Sequence, residues 1–286
     1  MKERASYYLA LNNKMYRIFK KLDGSLGKYV FKADNKNVAK ITVNCQLPGV
    51  TIKINDMPVN EMSISKGTMY SWSVSKSGYN TLSGYGTLDQ DTTILINYIA
   101  LNKPANASST INGTVVASNI QGTDGLLFED GTTVNYVYTI SGSGATQYDG
   151  TGIATTSTTE NIGALTVVTD IENADITINN ATATKVFFNK QATFQYSAAI
   201  HKTGYKSLEI VGGLDDSRTI SFSALDVTCN VPTAEIKINN ENYSGVFFET
   251  GTSFSYTCVI SVDGEPDYTE SDTIIQTRHI NKTYTI

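Results

Sequence analysis

One pattern recurs four times along this chain and limits what the chain can become. The stretch Val246-Phe247-Phe248-Glu249-Thr250-Gly251-Thr252-Ser253-Phe254-Ser255-Tyr256 has a counterpart sixty residues earlier, Val186-Phe187-Phe188-Asn189-Lys190-Gln191-Ala192-Thr193-Phe194-Gln195-Tyr196. Sixty before that stands Leu127-Phe128-Glu129-Asp130-Gly131-Thr132-Thr133-Val134-Asn135-Tyr136, and 64 further back Ser63-Ile64-Ser65-Lys66-Gly67-Thr68-Met69-Tyr70-Ser71-Trp72. Self-similarity at a fixed period of this size marks a serial array of small units.

Within each copy the residues alternate as strands do. Tyr70, Trp72 and Val74 oppose Ser71, Ser73 and Ser75, while Phe254, Tyr256, Cys258 and Ile260 oppose Ser255, Thr257 and Ser261. A period of two places one set in a core and the other in water. One position is aromatic in all four copies (Trp72, Tyr136, Tyr196, Tyr256) and is expected at the centre of each small core. A shorter strand precedes it, in Ile52-Lys53-Ile54-Asn55, Ile176-Thr177-Ile178-Asn179 and Ile236-Lys237-Ile238-Asn239, with Val116-Ala117-Ser118-Asn119 as the degenerate copy. The asparagine that ends it suits a turn, because its side chain bonds local backbone and tolerates a left-handed conformation. Gly67, Gly131 and Gly251 stand where the next reversal needs positive φ; Lys190-Gln191-Ala192 departs from the pattern, so that turn is expected to differ. Abundant Asn, Thr, Ser, Gly and Tyr beside five Pro agree with strands and turns rather than helices.

These motifs carry a family resemblance. Gly49-Val50-Thr51-Ile52-Lys53-Ile54-Asn55, the Gly67 turn and the closing Lys76-Ser77-Gly78-Tyr79, repeated as Lys202-Thr203-Gly204-Tyr205, resemble PEGA-type and related immunoglobulin-like repeats. Pro48-Gly49 and Pro232-Thr233-Ala234 resemble that family's opening. The resemblance covers about residues 41–286 and implies an all-β chain: a tandem array of about four small Ig-like β-sandwich units at 41–102, 103–164, 165–224 and 225–286, the second degenerate. It is a resemblance of sandwich geometry, and geometry alone does not assign function.

Residues 1–40 stand outside the array. They hold ten Lys/Arg against three Asp/Glu, a charge of +7, whereas the other twelve Lys/Arg face 24 Asp/Glu, a charge of −12. Tyr8, Leu11, Met15, Ile18 and Leu22 are spaced 3, 4, 3 and 4, which predicts one apolar helical face. The competing reading is a hairpin in which Met15–Phe19 and Lys28–Lys32 flank a turn at Asp23–Gly27. Either form, with Arg17, Lys20 and Lys21 supplying charge, suits a basic docking segment, and a membrane-surface helix is the sharper alternative.

The residue inventory offers little chemistry. His201 and His279 have strand-like surroundings without metal-ligand spacing, and no phosphate loop, C-x-x-C pair or H-E-x-x-H motif is present. No enzyme activity, cofactor or metal is therefore expected, although Asp215-Asp216 and the acidic run from Asp263 to Asp272 have the oxygen chemistry of calcium loops. Basic residues of the units are not interleaved with aromatics, which gives no sign of nucleic-acid binding. Three Cys are expected as buried thiols; Cys45 and Cys229 occupy one place in two units, and Cys258 is the candidate partner of Cys229. The start of the chain lacks an apolar signal-peptide core, and no run is long enough to span a membrane. A rod of sandwiches with a basic end, made without a secretion signal, points to a virion structural protein of a tailed bacteriophage. In that reading it is a head fibre, decoration, neck or tail component, assembled in the host cytoplasm as a homo-oligomer and docked on other virion proteins. The alternative is an adhesin or carbohydrate-binding module at a bacterial cell surface, meeting a host glycan or protein. Its candidate distal loop is Asp263, Glu265, Asp267 and Tyr268.

Overall fold

The computed structural model describes residues 7–11, 14–20, 26–31, 37–115 and 117–285, with side chains from residue 37 onward. It is all-β: no α-helix occurs among the described residues, and none of their elements is a helix able to cross a membrane. The chain divides into two compact units, Met1–Asn97 with Leu127–Thr132, and Tyr98–Leu126 with Thr133–Ile286.

The helix expected near the N-terminus is not formed. Tyr7–Leu11, Lys14–Lys20 and Leu26–Phe31 make a three-stranded antiparallel sheet, with Met15 opposite Phe31 and Phe19 opposite Gly27. The pairing follows the competing hairpin with one strand added, but Leu26 and Gly27 belong to the strand rather than to the expected Asp23–Gly27 turn, whose other residues lie outside the described ones. Tyr, Ile, Phe and Val are frequent in these short runs, and such residues favour a pleated surface over a helix when a partner strand lies close. Of the expected docking residues, Tyr8, Leu11, Met15, Arg17, Ile18 and Lys20 lie on the first two strands; Lys21 and Leu22 lie outside the described residues.

The first repeat shows the plan. Thr51–Ile54, Thr68–Ser75 and Leu82–Leu88 form one antiparallel sheet. Val38–Cys45 pairs antiparallel with Glu61–Ser65 on one side and parallel with residues 92–96 on the other. Ile41, Val43, Ile54, Trp72, Val74, Leu88 and Ile96 from the two sheets are buried, as inward alternation requires. The same arrangement recurs in the larger unit. There the strands Asp175–Ile178, Phe194–His201 and Leu208–Leu214 make one three-way antiparallel set, and Glu235–Ile238, Phe254–Ser261 and Tyr268–Ile274 make another.

Successive repeats in the larger unit share strands. Thr158–Thr169 pairs through residues 158–161 with Ile99–Asn102, and through residues 165–169 with Arg218–Phe222. Arg218–Cys229 continues the scheme, pairing residues 225–229 with Arg278–Lys282. Ile220, Phe222 and Ala224 face one core, and the very next residue, Leu225, with Val227, faces the next core. Phe247 and Phe248 divide the same way. Boundaries placed at 164/165 or 224/225 therefore fall within a continuous strand. Modules of about 60 residues bury too little surface to be robust alone, and strands with both faces buried supply what each lacks.

The recurrent asparagines act as clamps. Asn55, Asn179 and Asn239 have φ of 49°, 51° and 50°. Their Oδ1 atoms accept from the backbone N–H of Ser71 (2.9 Å), Ser197 (2.7 Å) and Thr257 (2.8 Å), tying the end of the short strand to the long one beside it. Asn119 of the degenerate copy instead lies within the strand Ser118–Gly122. Replacing Asn239 by alanine removes the bond and puts an alanine in the left-handed region, an expected loss of about 2 kcal/mol. Asn239→Gly keeps the backbone conformation and is expected to lose about half of that. Urea unfolding of the two variants checks the order; equal losses would show that the conformation contributes nothing.

Gly67, Gly131 and Gly251 adopt φ of 77°, 78° and 87°, while the Lys190-Gln191-Ala192 turn contains no positive φ and is held by Asn189 Oδ1 accepting from the Gln191 N–H at 2.9 Å. The expectation of three buried thiols needs correction. All three cysteines are free, but only Cys258 is fully buried; Cys45 and Cys229 are half-buried, each the last residue of its strand.

Candidate functional site

The four core aromatics are where the repeats expected them, 3–5 % exposed. Each lies opposite a specific partner on the neighbouring strand: Trp72 on Gly84, Tyr136 on Gly152, Tyr196 on Gly212 and Tyr256 on Asp272. A β-carbon added at Gly152 would stand 2.3 Å from Tyr136 Oη, so in that repeat the glycine makes room for the ring.

The hydroxyls of the three tyrosines enter polar networks that the sequence did not disclose. Tyr136 donates to Glu160 Oε1 at 2.5 Å, and Asn189, from the following repeat, donates to Glu160 Oε2 at 2.7 Å. Asn189 also reaches Tyr138 Oη at 3.4 Å. In the next repeat Arg218 donates to Tyr196 Oη (3.2 Å) and to Glu249 (3.0 Å), again a residue of the repeat that follows. Tyr256 donates to Glu270 at 2.7 Å, Arg278 at 2.6 Å, and Tyr268 completes the set. Burial first, and the carboxylate second, hold Tyr136 and Tyr256 well above the ordinary tyrosine range, so both remain neutral donors. Burial likewise pushes the Cys258 thiol up to about 11, with the charge of Glu270 adding to it. A thiol so placed is a packing group rather than a nucleophile. Among the described residues no buried side-chain N or O atom lacks a partner, which makes these networks closed structural joints.

Glu270 gives a pH test. Hydrogen bonds from Tyr268 and Tyr256, then from Arg278, lower its pKa below the usual glutamate range. A carboxylate depressed in the folded state contributes stability above its unfolded pKa, and that contribution is lost as pH falls through the folded pKa. Wild type is therefore expected to melt higher than Glu270→Gln at pH 7. The gap should narrow steadily below about pH 4.3, the ordinary glutamate value. A gap independent of pH between 7 and 3 would show that the charge of Glu270 is not involved.

The acidic loop expected at the far end of the array comprises exposed Asp263, Glu265 and Asp267 around Gly264, whose φ is 82°. Tyr268 does not join them: its hydroxyl turns to Glu270 and the Lys282 ammonium lies 4.8 Å above its ring. Among the described residues no group of three or more His, Cys, Asp or Glu is placed to hold a metal ion.

A different surface is concave. On the outer face of the first repeat's three-stranded sheet, Lys53, Asp56, Ser71, Ser73, Ser83 and Tyr85 line a groove of about 560 Å³ with Trp72 beneath it. The second repeat has a groove of about the same volume, 560 Å³, at matching positions, where Asn112, Asn135, Val137, Thr151 and Ile153 replace Lys53, Ser71, Ser73, Ser83 and Tyr85. Outward-facing serines and threonines in a strand read as ordinary solvated positions, so alternation alone did not mark these grooves. The usable signal was one large aromatic, Tyr85, on the polar phase of its strand. Comparison of the chain with protein-family models, with curated proteins and with solved structures returned no match.

Proposed function

We propose that this chain is a non-enzymatic structural protein of a tailed-bacteriophage particle, a head fibre, decoration, neck or tail component. In this reading its sandwiches are Ig-like units and residues 1–40 dock it on a capsid, portal-neck or tail protein. The observation that carries the reading is strand sharing. Where Arg218–Cys229 serves two cores, and Thr158–Thr169 pairs with strands of the repeats on either side, neighbouring repeats have no linker to flex, as befits an element that projects or braces. The opposite charges of residues 1–40 and the remainder support two different surroundings for the two parts.

The test is assembly of the full chain after Lys14, Arg17, Lys20 and Lys21 are changed together to glutamate. Light scattering with small-angle X-ray scattering is expected to show a homo-oligomer for the wild type and its loss in the variant. A wild-type monomer whose size the charge reversal leaves unchanged would overturn the docking role.

A second reading, attachment to a bacterial cell surface as an adhesin or carbohydrate-binding module, is favoured by the grooves on the outer sheet faces rather than by the Asp263–Tyr268 loop. The two readings are compatible in one particle-borne protein.

A further inference from the structure

Tyr85 is the most exposed large hydrophobic side chain among the described residues, 82 % accessible, and it projects from a sheet rather than a loop. A strand holds it in a fixed direction, so its ring faces solvent at little cost in further ordering. Cross-strand register sets Ser71 directly opposite Tyr85, Ser73 opposite Ser83, and Lys53 opposite Ser73. The floor around the ring is therefore paved with hydroxyls, each able to donate and accept. Met69, 67 % exposed and opposite Thr87, extends the apolar shelf along the same face.

We propose that this face of the first repeat is a saccharide-binding groove, with Tyr85 as the platform for one pyranose ring and Ser71, Ser73 and Ser83 as partners for its hydroxyls. The inference deepens the attachment reading and stands apart from the particle reading. Three features select the ligand class. Trp72–Val74 of the central strand are paired on both sides, so an extended peptide cannot pair with the strand that floors the groove; it could add only at a sheet edge such as Leu82–Leu88, in the plane of the sheet rather than on the face that carries Tyr85. Lys53 and Asp56 are of opposite sign, which leaves no net charge to recruit an anion or a cation. A protein partner of ordinary size needs about 800 Å² with an apolar centre, and one ring among hydroxyls does not provide that. A neutral pyranose fits both demands: a C–H face for the ring and a hydroxyl rim for the serines. The volume of about 560 Å³ and the adjoining Met69 favour an oligosaccharide over a single sugar.

Trp72, the chain's only tryptophan, lies beneath the groove, so its emission reports on occupancy. The purified full chain is titrated with maltohexaose, cellohexaose and the hexamer of N-acetylglucosamine. At least one is expected to shift Trp72 emission saturably. Tyr85→Ala should weaken that binding by about ten-fold, the worth of one aromatic face, while Tyr85→Phe should hold it within about three-fold. Because Tyr85 is exposed, both variants should melt with the wild type. Saturation by none of the three sugars, or unchanged affinity in Tyr85→Ala, overturns the proposal. Binding lost in Ile153→Asp but kept in Tyr85→Ala overturns it too, in favour of the second repeat. None of these results depends on whether residues 1–40 drive assembly, so the two proposals fail separately.

Discussion

Changing Gly152 to valine is expected to destabilise the second repeat by about 3 kcal/mol, at the upper end of what overpacking costs. Valine normally strengthens a strand by up to about 1 kcal/mol, so a loss of this size runs against local propensity. The reason lies across the ladder. Tyr136 lies opposite Gly152, and a β-carbon there would meet its Oη at 2.3 Å and Cζ at 2.4 Å, far inside the usual contact of about 3.5 Å. The ring cannot swing away, because it is 4 % exposed and its hydroxyl is fixed on Glu160. Gly213→Ala is the matched control. Its β-carbon would meet the Thr193 methyl at 2.9 Å and the Gln195 amide at 3.0 Å, mobile side-chain ends, so a loss under about 1 kcal/mol is expected. Native-state hydrogen exchange across residues 108–154 for Gly152→Val, and across residues 175–214 for Gly213→Ala, separates the outcomes. Protection equal to wild type in Gly152→Val would mean that the ring relaxes freely and that the glycine is incidental.

The part of the fold that obeys a single period was legible in the sequence. Alternation around Trp72, Tyr136, Tyr196 and Tyr256 located the central strand of each repeat, and Asn55, Asn179 and Asn239 marked its turns. What stayed hidden was everything governed by two cores at once. In Ile220-Ser221-Phe222-Ser223-Ala224-Leu225 the burial changes face between Ala224 and Leu225, so neither phase of a period-two pattern fits the whole strand. The doublet Phe247-Phe248 carried the clue, since adjacent strand residues point to opposite faces and two buried phenylalanines in a row demand two cores. The N-terminal sheet was obscured for the opposite reason. A spacing of 3, 4, 3 and 4 in apolar residues also arises where two short strands follow one another, and only pairing partners distinguish the two. Polar joints such as Tyr136–Glu160–Asn189 unite residues 24 and 29 apart and leave no local signature.

That joint supports the second large prediction, which turns the repeat logic against itself. Glu160 stands where the other repeats have Ile94, Ile220 and Ile280, each opposite the corresponding Val43, Val167 or Val227, as Glu160 is opposite Leu101. Averaging the repeats would install isoleucine, and substitutions toward a consensus usually stabilise. Glu160→Ile is instead expected to cost about 3 kcal/mol, because it strips the acceptor from the buried Tyr136 hydroxyl, at about 1–3 kcal/mol for a buried orphan, and leaves the half-buried Asn189 amide only its long contact to Tyr138 Oη. Adding Tyr136→Phe removes one orphan and should recover at least half of that loss, since an apolar pair in a dry site needs no partner. A thermal-unfolding double-mutant cycle on Glu160 and Tyr136 therefore predicts strong coupling, and simple additivity would show that the hydroxyl does not depend on this carboxylate. The remaining loss would sit on Asn189, which belongs to the following repeat. The carboxylate thus does more than fill a core position: it bonds Asn189 at the end of the next repeat's Lys185–Asn189 strand, a directional contact that an isoleucine of similar size lacks.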